Sequence, residues 1–322
     1  MASQQIPGFK SLREIIMATM VVGSTMTIAS TATAVTLKVS VENIGPTNGS
    51  ILPPVWVAFQ DGSFDTFDVG APASSGIKDL AEDGISGLES TFLGDSPILS
   101  GVYNIIPQNS TISSLFAGSS AGINGGVQGV LSPDPDIQLY PNAPVLFPGQ
   151  TSTKTITLNG SVANHRYFNY VSQVFPSNDA FIGNDHPIEI FDAEGKFIGA
   201  NFIVLGNQVL DAGTTVNDED QSRIGFPSET RSPLDALGKG IPENGTIQIH
   251  PGLKPAGTGG VLDYELGGNK LFANADFKAP GYEVARITVT EVPESVPEPA
   301  PTTGLLALSG LFMLLRQVRR SV

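Results

Sequence analysis

The sequence predicts an all-β fold: a single antiparallel β-sandwich domain with one or two short helices in insertions. Many short segments rich in β-branched and aromatic residues are separated by turn signals, a pattern typical of a sandwich. Glycine and proline are frequent, with 36 and 24 of the 322 residues, and they follow no short period that would indicate a fibre. Because the chain has no internal repeat and no second linker within its central part, we expect one domain.

The N-terminal segment, residues 1–34, has the pattern of a secretory signal peptide. Lys10 and Arg13 precede an apolar stretch at residues 15–29, and Ala32 and Ala34 occupy the small-residue positions before a cleavage site. The sandwich domain is therefore expected to cover residues 35–292 and to leave the cytoplasm.

The predicted strands follow one another at short intervals along this domain. They are residues 36–43, 55–60, 155–158, 162–175, 188–191, 197–205, 245–250 and 283–292. Asn-Gly pairs, which favour tight turns, begin at Asn48, Asn124, Asn159 and Asn244. The pair at Asn159 separates two predicted strands, so the sequence predicts a β-hairpin there.

The predicted helices are short. Ser74 or Ser75 can cap a helix that carries Ile77, Leu80 and Ala81 on one face. Gly84 should end this helix, and residues 86–92 could form a second turn or two. The glycine- and serine-rich stretch 117–129 and residues 252–260 are expected to be loops.

The C-terminal tail, residues 293–322, has three parts in order: Pro297-Glu298-Pro299, an apolar run at 304–315, and three arginines. As a helix the apolar run would span roughly 18 Å of a bilayer core of about 30 Å, which is short for a permanent anchor. The tail resembles the PEP-CTERM sorting signal of Gram-negative bacteria. That resemblance implies recognition of the triplet by an exosortase-type enzyme and transient insertion in the inner membrane; the alternative is an ordinary C-terminal membrane anchor.

Charge and cysteine content exclude several classes of function. The formal net charge is −14, and it becomes more negative once the basic ends are excluded. Such a surface repels nucleic acid and anionic lipid, so we expect no nucleic-acid partner. The chain has no cysteine, which excludes disulfides, thiolate metal sites and cysteine nucleophiles.

Two patterns could indicate an enzyme. GSSAG, residues 118–122, matches a nucleophile elbow with Ser120 at its centre, but it lies in a low-complexity stretch without a core strand before it. Asp61, Asp65 and Asp68 could act as paired carboxylates in glycoside hydrolysis. Phe64, Phe67 and Val69 indicate instead a packed loop whose acids face water. We therefore expect no catalytic residue.

The three histidines are far apart in the sequence. His165 lies in a predicted strand, His186 precedes a proline and His250 ends a predicted strand. This spacing does not favour a zinc site, and we interpret all three as surface or edge residues. Trp56 and Phe59 are interpreted as core residues rather than a platform for sugar stacking.

Two blocks, residues 57–88 and 174–220, resemble the spondin N-terminal domain in the version found in secreted bacterial proteins. The second block combines PSNDAF, a GKF strand start and DAGT in that order. The resemblance covers about residues 36–292. It implies a C2-like antiparallel sandwich that binds calcium at its loop end and mediates adhesion in an extracellular matrix.

The resemblance also implies the calcium ligands. The aspartate of PSND corresponds to Asp179 and the aspartate of DAGT to Asp211. A third acidic ligand is expected at the position where this chain has Thr215, so the site is either weakened or completed by Asp218 or Asp220. In the alternative interpretation, Asp179 and Asp211 are turn residues and the other two are solvated loop charges.

The expected function is that of a secreted or cell-surface, non-enzymatic adhesion protein of the extracellular matrix or biofilm, with calcium as a stabilising ion. The expected partners are the exosortase-type enzyme and an exopolysaccharide or matrix proteins. The alternatives are a secreted hydrolase and a calcium-dependent carbohydrate-binding module.

Overall fold

Two antiparallel β-sheets pack face to face in the computed structural model, which describes residues 34–93, 97–132, 144–226 and 233–293. The predicted signal peptide, the Pro297-Glu298-Pro299 triplet and the tail lie outside the described residues. No helix within those four ranges combines the length and the apolar character needed to cross a membrane.

Thirteen strands and five α-helices are present in the described part of the chain. The strands are β1 (Val35–Asn43), β2 (Val55–Gln60), β3 (Val127–Leu131), β4 (Thr151–Leu158), β5 (Tyr167–Gln173), β6 (Ala180–Gly183), β7 (Ile188–Glu189), β8 (Ala200–Leu205), β9 (Leu210–Asp211), β10 (Gln248–Ile249), β11 (Glu265–Leu266), β12 (Asn269–Lys270) and β13 (Glu283–Glu291). The helices are α1 (Ser75–Asp83), α2 (Ser90–Leu93), α3 (Pro97–Ile105), α4 (Ile112–Gly118) and α5 (Ser120–Ile123).

The first sheet has the order β4-β1-β13-β8, so the first and last strands of the domain are neighbours at its centre. The second sheet has the order β10-β9-β6-β5-β2-β3, with β7 also pairing with β5. β11 and β12 form a separate two-stranded hairpin. Every strand pair is antiparallel, which confirms the predicted all-β, antiparallel sandwich.

The main core lies between the two sheets and follows from the alternation along their strands. In β4, Ile156 and Leu158 are buried while the intervening threonines are exposed, because successive side chains point to opposite faces. These side chains meet Val57, Phe59 and other inward residues of the second sheet. Burial of one face of the first sheet therefore sets its register.

Helices α1, α4 and α5 cover the other face of the second sheet and form a second core. All six residues of β2 are buried, because this strand has an apolar neighbour on both faces. Trp56 contacts Phe116 of α4 edge to face, with ring centroids 5.7 Å apart. Ile77 and Leu80 of α1 belong to the same cluster. These elements of the described chain form three layers: a four-stranded sheet, a larger sheet and a layer of short helices.

Several boundaries agree with the sequence. β2 has the predicted bounds, and α1 begins after Ser74, whose side-chain Oγ accepts a hydrogen bond from the Ile77 amide at 3.3 Å. Gly84 ends this helix, as predicted, and it does so with a positive φ of 69°. Trp56 and Phe59 lie in the two cores, on opposite faces of the second sheet.

Three predictions of local structure are wrong. The strand predicted at 162–175 covers only Tyr167–Gln173, and residues 162–165 form a 3-10 helix. The Asn159–Gly160 pair does not close a hairpin, because β4 pairs with β1 and β5 pairs with β2; the chain crosses between the sheets there. Residues 117–129 are not one loop, since they contain the end of α4, all of α5 and the start of β3. Thr111 and Ser119 cap these helices, and burial of Phe116 and Ala121 stabilises them.

Candidate cation site at the loop end

Asp179 and Asp211 come from separate segments and are brought together by strand pairing. Asp179 directly precedes β6, and Asp211 ends β9. The two strands are antiparallel, with Ala180 opposite Asp211, and the Ala212 amide donates to the Asp179 carbonyl oxygen at 3.1 Å. Both side chains are buried, with 0% and 1% of Asp179 and Asp211 exposed. The sequence-predicted pair therefore lies at one place in the fold.

Only one oxygen of the Asp179 carboxylate has hydrogen-bond partners among the described residues. Its Oδ2 accepts from the Thr214 amide at 2.8 Å, the Thr214 hydroxyl at 3.1 Å and the Thr215 amide at 3.1 Å. Its Oδ1 is buried and has no partner there. A buried acceptor without a partner carries a desolvation cost of about 1–3 kcal/mol or more, so this oxygen is suited to a ligand or a proton.

The electrostatics of this carboxylate are unfavourable in the absence of a cation. Burial, and after it the nearby negative charge of Asp211, raise the pKa of Asp179 to about 7. The hydrogen bonds from Thr214 and Thr215 act in the opposite direction and do not compensate. A bound cation would favour the ionised form, because an opposite charge lowers the pKa of a carboxyl group.

Asp211 is held in a fixed orientation by its own loop. Its Oδ1 accepts from the Gly213 amide and its Oδ2 from the Asn217 side-chain amide, both at 2.7 Å. Gly213 has a φ of +64° and accepts a hydrogen bond from the Gly245 amide, so a glycine is needed at this turn. The first of these contacts is the turn role that the sequence suggested as an alternative to metal binding. It does not exclude coordination, because a carboxylate oxygen has a second lone pair.

Thr215, the residue at the expected third acidic position, is also buried beside the pair. Its amide donates to Asp179, while its hydroxyl oxygen has no hydrogen-bond partner in the described ranges. Oxygen atoms of Asp179, Asp211 and Thr215 are the hard ligands that calcium prefers. No group of three or more His, Cys, Asp or Glu side chains suited to a metal occurs in that part of the chain, so backbone carbonyls or water would have to supply further ligands.

Asp218 and Asp220, the candidates to complete the site, are engaged elsewhere. Arg223 forms an ion pair with Asp218 and a second one with Asp220 at 3.0 Å. Asp218 also accepts from the side-chain amide of Asn178 at 3.1 Å. These contacts engage both carboxylates within the segment of residues 218–223. The sequence interpretation of solvated charges missed the role of Arg223.

Two buried polar residues near this loop were not predicted. Glu219 has a φ of +53°, and its carboxylate accepts from the amides of Lys254 and Val261, which joins two long loops. The imidazole of His250 is 1% exposed and accepts from the Gly252 amide at 3.0 Å through Nδ1. Burial lowers the pKa of His250 to about 4, against the opposing effect of Asp211. Neither role has a local sequence signal, because both depend on contacts between distant loops.

The histidine predictions need correction. His165 lies in a 3-10 helix rather than a strand, and both His165 and His250 are buried rather than at the surface. His165 contacts the Asn159 carbonyl oxygen through Nε2 at 3.0 Å, and the ring of His250 packs edge to face on Phe277. Both rings fill space in the fold, and His186 lies in a bend between β6 and β7.

The nucleophile-elbow pattern at Ser120 lacks the structural context that its chemistry requires. Ser120 is exposed and begins α5 directly after α4, whereas a nucleophile elbow needs a core strand before the serine. In the acidic loop, Phe64 and Phe67 are buried, as the packed-loop interpretation predicted, whereas Val69 is 52% exposed and does not pack. Asp61 accepts from the Ser63 amide and from the Asn124 side chain, both at 2.9 Å.

Comparison with models of known protein families found no match. Comparison with curated protein sequences likewise found no significant relative.

Proposed function

We propose that this chain is an exported, non-enzymatic adhesion protein of the cell surface or extracellular matrix, and that calcium stabilises its loop end. The observation that carries the calcium part is the buried, unpartnered Oδ1 of Asp179 beside the charge of Asp211. The export part rests on the signal-peptide pattern and on the sorting-tail resemblance, which also suggests an exosortase-type enzyme as processing partner.

In this proposal Asp179, Asp211 and Thr215 hold the ion through oxygen atoms. Calcium supplies a positive charge that offsets the repulsion between the two carboxylates. The protein residues supply the rest: strand pairing positions the two aspartates, and the Thr214 and Thr215 amides hold one oxygen of Asp179. The ion would then tie β6 to the loop that follows β9.

The outer face of the first sheet suits contact with a hydroxyl-rich polymer such as an exopolysaccharide. Every second side chain of its four strands points outward. These side chains lie about 4.8 Å apart from one strand to the next and about 6.7 Å apart along a strand. The side chains are Thr151, Thr153, Thr155 and Thr157 on β4, Thr36, Lys38, Ser40 and Glu42 on β1, Arg286, Thr288 and Thr290 on β13, and Asn201, Ile203 and Leu205 on β8. Hydroxyl groups dominate, and the few charges nearly cancel. This face thus contrasts with the acidic chain as a whole.

Calcium binding is tested by thermal unfolding with and without chelator. Saturation at about a hundred times the dissociation constant adds about 2.7 kcal/mol, or roughly 5–10 °C in the melting temperature for a domain of this size. Asp211→Asn should remove most of this rise. Asp218→Asn is the matched control, since its carboxylate belongs to the same loop but binds Arg223. An unchanged melting curve on chelation would remove calcium from the proposal.

Adhesion is tested by retention of the purified protein on matrix polysaccharide and by cohesion of biofilms that lack it. Thr153→Glu together with Thr155→Glu should weaken retention, because charge is added to the hydroxyl face. Ala256→Glu together with Thr258→Glu places the same two charges on exposed loop residues and serves as control. Equal retention of all variants would exclude this face, and no retention of the wild type would contradict the adhesive role.

The same purified protein distinguishes the two alternative functions, a hydrolase and a carbohydrate-binding module. Turnover of an ester or glycoside by the wild type that is lost in Ser120→Ala would favour the hydrolase. Retention on polysaccharide that disappears with chelator would favour a calcium-dependent carbohydrate-binding module.

A further inference from the structure

The four Asn-Gly pairs of this chain are chemically equivalent in sequence but not in structure. Asparagine before glycine can lose its side-chain amide spontaneously, because the following backbone nitrogen attacks the side-chain carbonyl carbon. The reaction needs a glycine amide free of hydrogen bonds, a side chain free to rotate and space for a five-membered ring. Asparagine is for this reason among the thermolabile residues.

Three of the four pairs fail these requirements. Each of their glycine amides donates a hydrogen bond to a backbone carbonyl oxygen: Gly49 to Pro46 at 2.8 Å, Gly125 to Gly122 at 3.1 Å, and Gly245 to Gly213 at 2.7 Å. The side chain of Asn124 in addition donates to Asp61 at 2.9 Å. At each of these places the attack would first require a hydrogen bond to break.

Asn159 and Gly160 meet all three requirements for this reaction. Both residues are exposed and follow directly after the last residue of β4. Neither the Asn159 side chain nor the Gly160 amide has a hydrogen-bond partner among the described residues. The space beside the Gly160 Cα is open, with no atom within 4 Å of the place a Cβ would take.

We propose that Asn159 is a site of spontaneous deamidation in the folded protein, and that the other three Asn-Gly asparagines are protected by the fold. The Gly160 nitrogen forms a bond to the Asn159 side-chain carbonyl carbon, and the bond from that carbon to Nδ2 breaks. Nδ2 leaves as ammonia and a succinimide remains. Water then opens the ring at either carbonyl, which yields aspartate or isoaspartate.

The modification would alter a specific contact. The main-chain carbonyl oxygen of Asn159 is hydrogen-bonded to Nε2 of the buried His165 at 3.0 Å. In isoaspartate the main chain runs through the former side chain, so this neutral carbonyl becomes a free carboxylate and the backbone gains one methylene. The segment concerned joins β4 of one sheet to β5 of the other. A charge and a longer connection therefore arise together at the crossing between the sheets.

The test compares deamidation of the full-length protein in its native state and in urea. Both samples are incubated at mildly alkaline pH and digested, and the four Asn-Gly peptides are quantified by mass spectrometry with separation of the isoaspartyl form. In the native state Asn159 should convert about tenfold faster or more than any of the other three. In urea the four rates should converge, because the protecting hydrogen bonds are gone.

Two variants complete the test. Asn159→Gln should prevent the appearance of the more acidic form of the native protein on isoelectric focusing, whereas Asn48→Gln should not. A native protein in which Asn48, Asn124 or Asn244 deamidates as fast as Asn159 would overturn the proposal. Persistence of Asn159 in the native sample, over a time in which all four convert in urea, would overturn it too.

Discussion

Asp179 and Asp211, which are 32 positions apart in the sequence, meet across an antiparallel strand pair, where the charge of the second helps to raise the pKa of the first. Strand pairing holds the two carboxylates at this place whether or not both are ionised. The fold therefore maintains an electrostatic cost that a proton or a cation can relieve.

The stability of the chelated protein should depend on pH through Asp179. The pKa of this carboxyl group is about 7 in the folded state and 3.8 for an aspartate free in water, so the folded state holds a proton that the unfolded chain has lost. The contribution of Asp179 to the unfolding free energy should therefore fall as pH rises from about 4 to about 7, by up to about 4 kcal/mol. His250, whose pKa burial lowers to about 4, contributes in the opposite direction up to about pH 6.5. Urea unfolding across this range measures the slope. Asp179→Asn should remove the Asp179 contribution, so its unfolding free energy should rise with pH relative to that of the wild type; an equal slope in that variant would contradict the assignment.

Thr214 and Thr215 should respond oppositely to the same substitution. Thr214→Val removes a hydroxyl that donates to Asp179 and should cost about 1 kcal/mol. Thr215→Val removes a buried hydroxyl without a partner in the described ranges, and it should leave the chelated protein unchanged or slightly more stable. The same variant should reduce the rise in melting temperature with calcium. A full calcium response in Thr215→Val would exclude this hydroxyl as a ligand.

Phe116→Ala should detach the helical layer from the second sheet. The phenyl ring is 1% exposed and packs against Trp56 and Phe64, so its loss should cost about 3–5 kcal/mol. Because Trp56 is the only tryptophan, its fluorescence should shift to the red as water reaches it. Ile123→Ala on α5 is the control: this side chain is 75% exposed, and its loss should change stability by less than about 0.5 kcal/mol.

Glu219→Gln should loosen the two loops that its carboxylate joins. A glutamine side chain has one acceptor oxygen, so it cannot replace both contacts to the Lys254 and Val261 amides. The expected cost is about 1–3 kcal/mol, with faster proteolysis at residues 252–260. Glu265→Gln, at an exposed strand residue, should behave as wild type in both measurements. Equal protease sensitivity of the two variants would show that Glu219 does not hold the loops.

Sequence patterns predicted the elements whose determinants are local. The bounds of β2 follow from a continuous apolar run, and those of α1 from a serine N-cap and a glycine C-cap. The helices α4 and α5 escaped prediction because serine and glycine are weak helix formers, and here burial against Trp56 outweighs propensity. The hairpin expected at Asn159 failed for a related reason. The turn chemistry was present, but the partners of β4 and β5 lie in different sheets.

The candidate acids Asp179 and Asp211 came from the resemblance of two sequence blocks to a known family. By itself the sequence determined the all-β class and the alternation that places threonines outside and aliphatic residues inside β4. Residue size, polarity and turn preference act over a few positions, and a linear pattern records them directly. Only the tertiary structure decided that these two acids adjoin and that Arg223 forms ion pairs with Asp218 and Asp220. It also decided that, of the four Asn-Gly pairs, one has a glycine amide without a hydrogen bond in the described residues. Those outcomes depend on which distant backbone groups meet, because a buried polar group is stabilised or left costly by its neighbours in space.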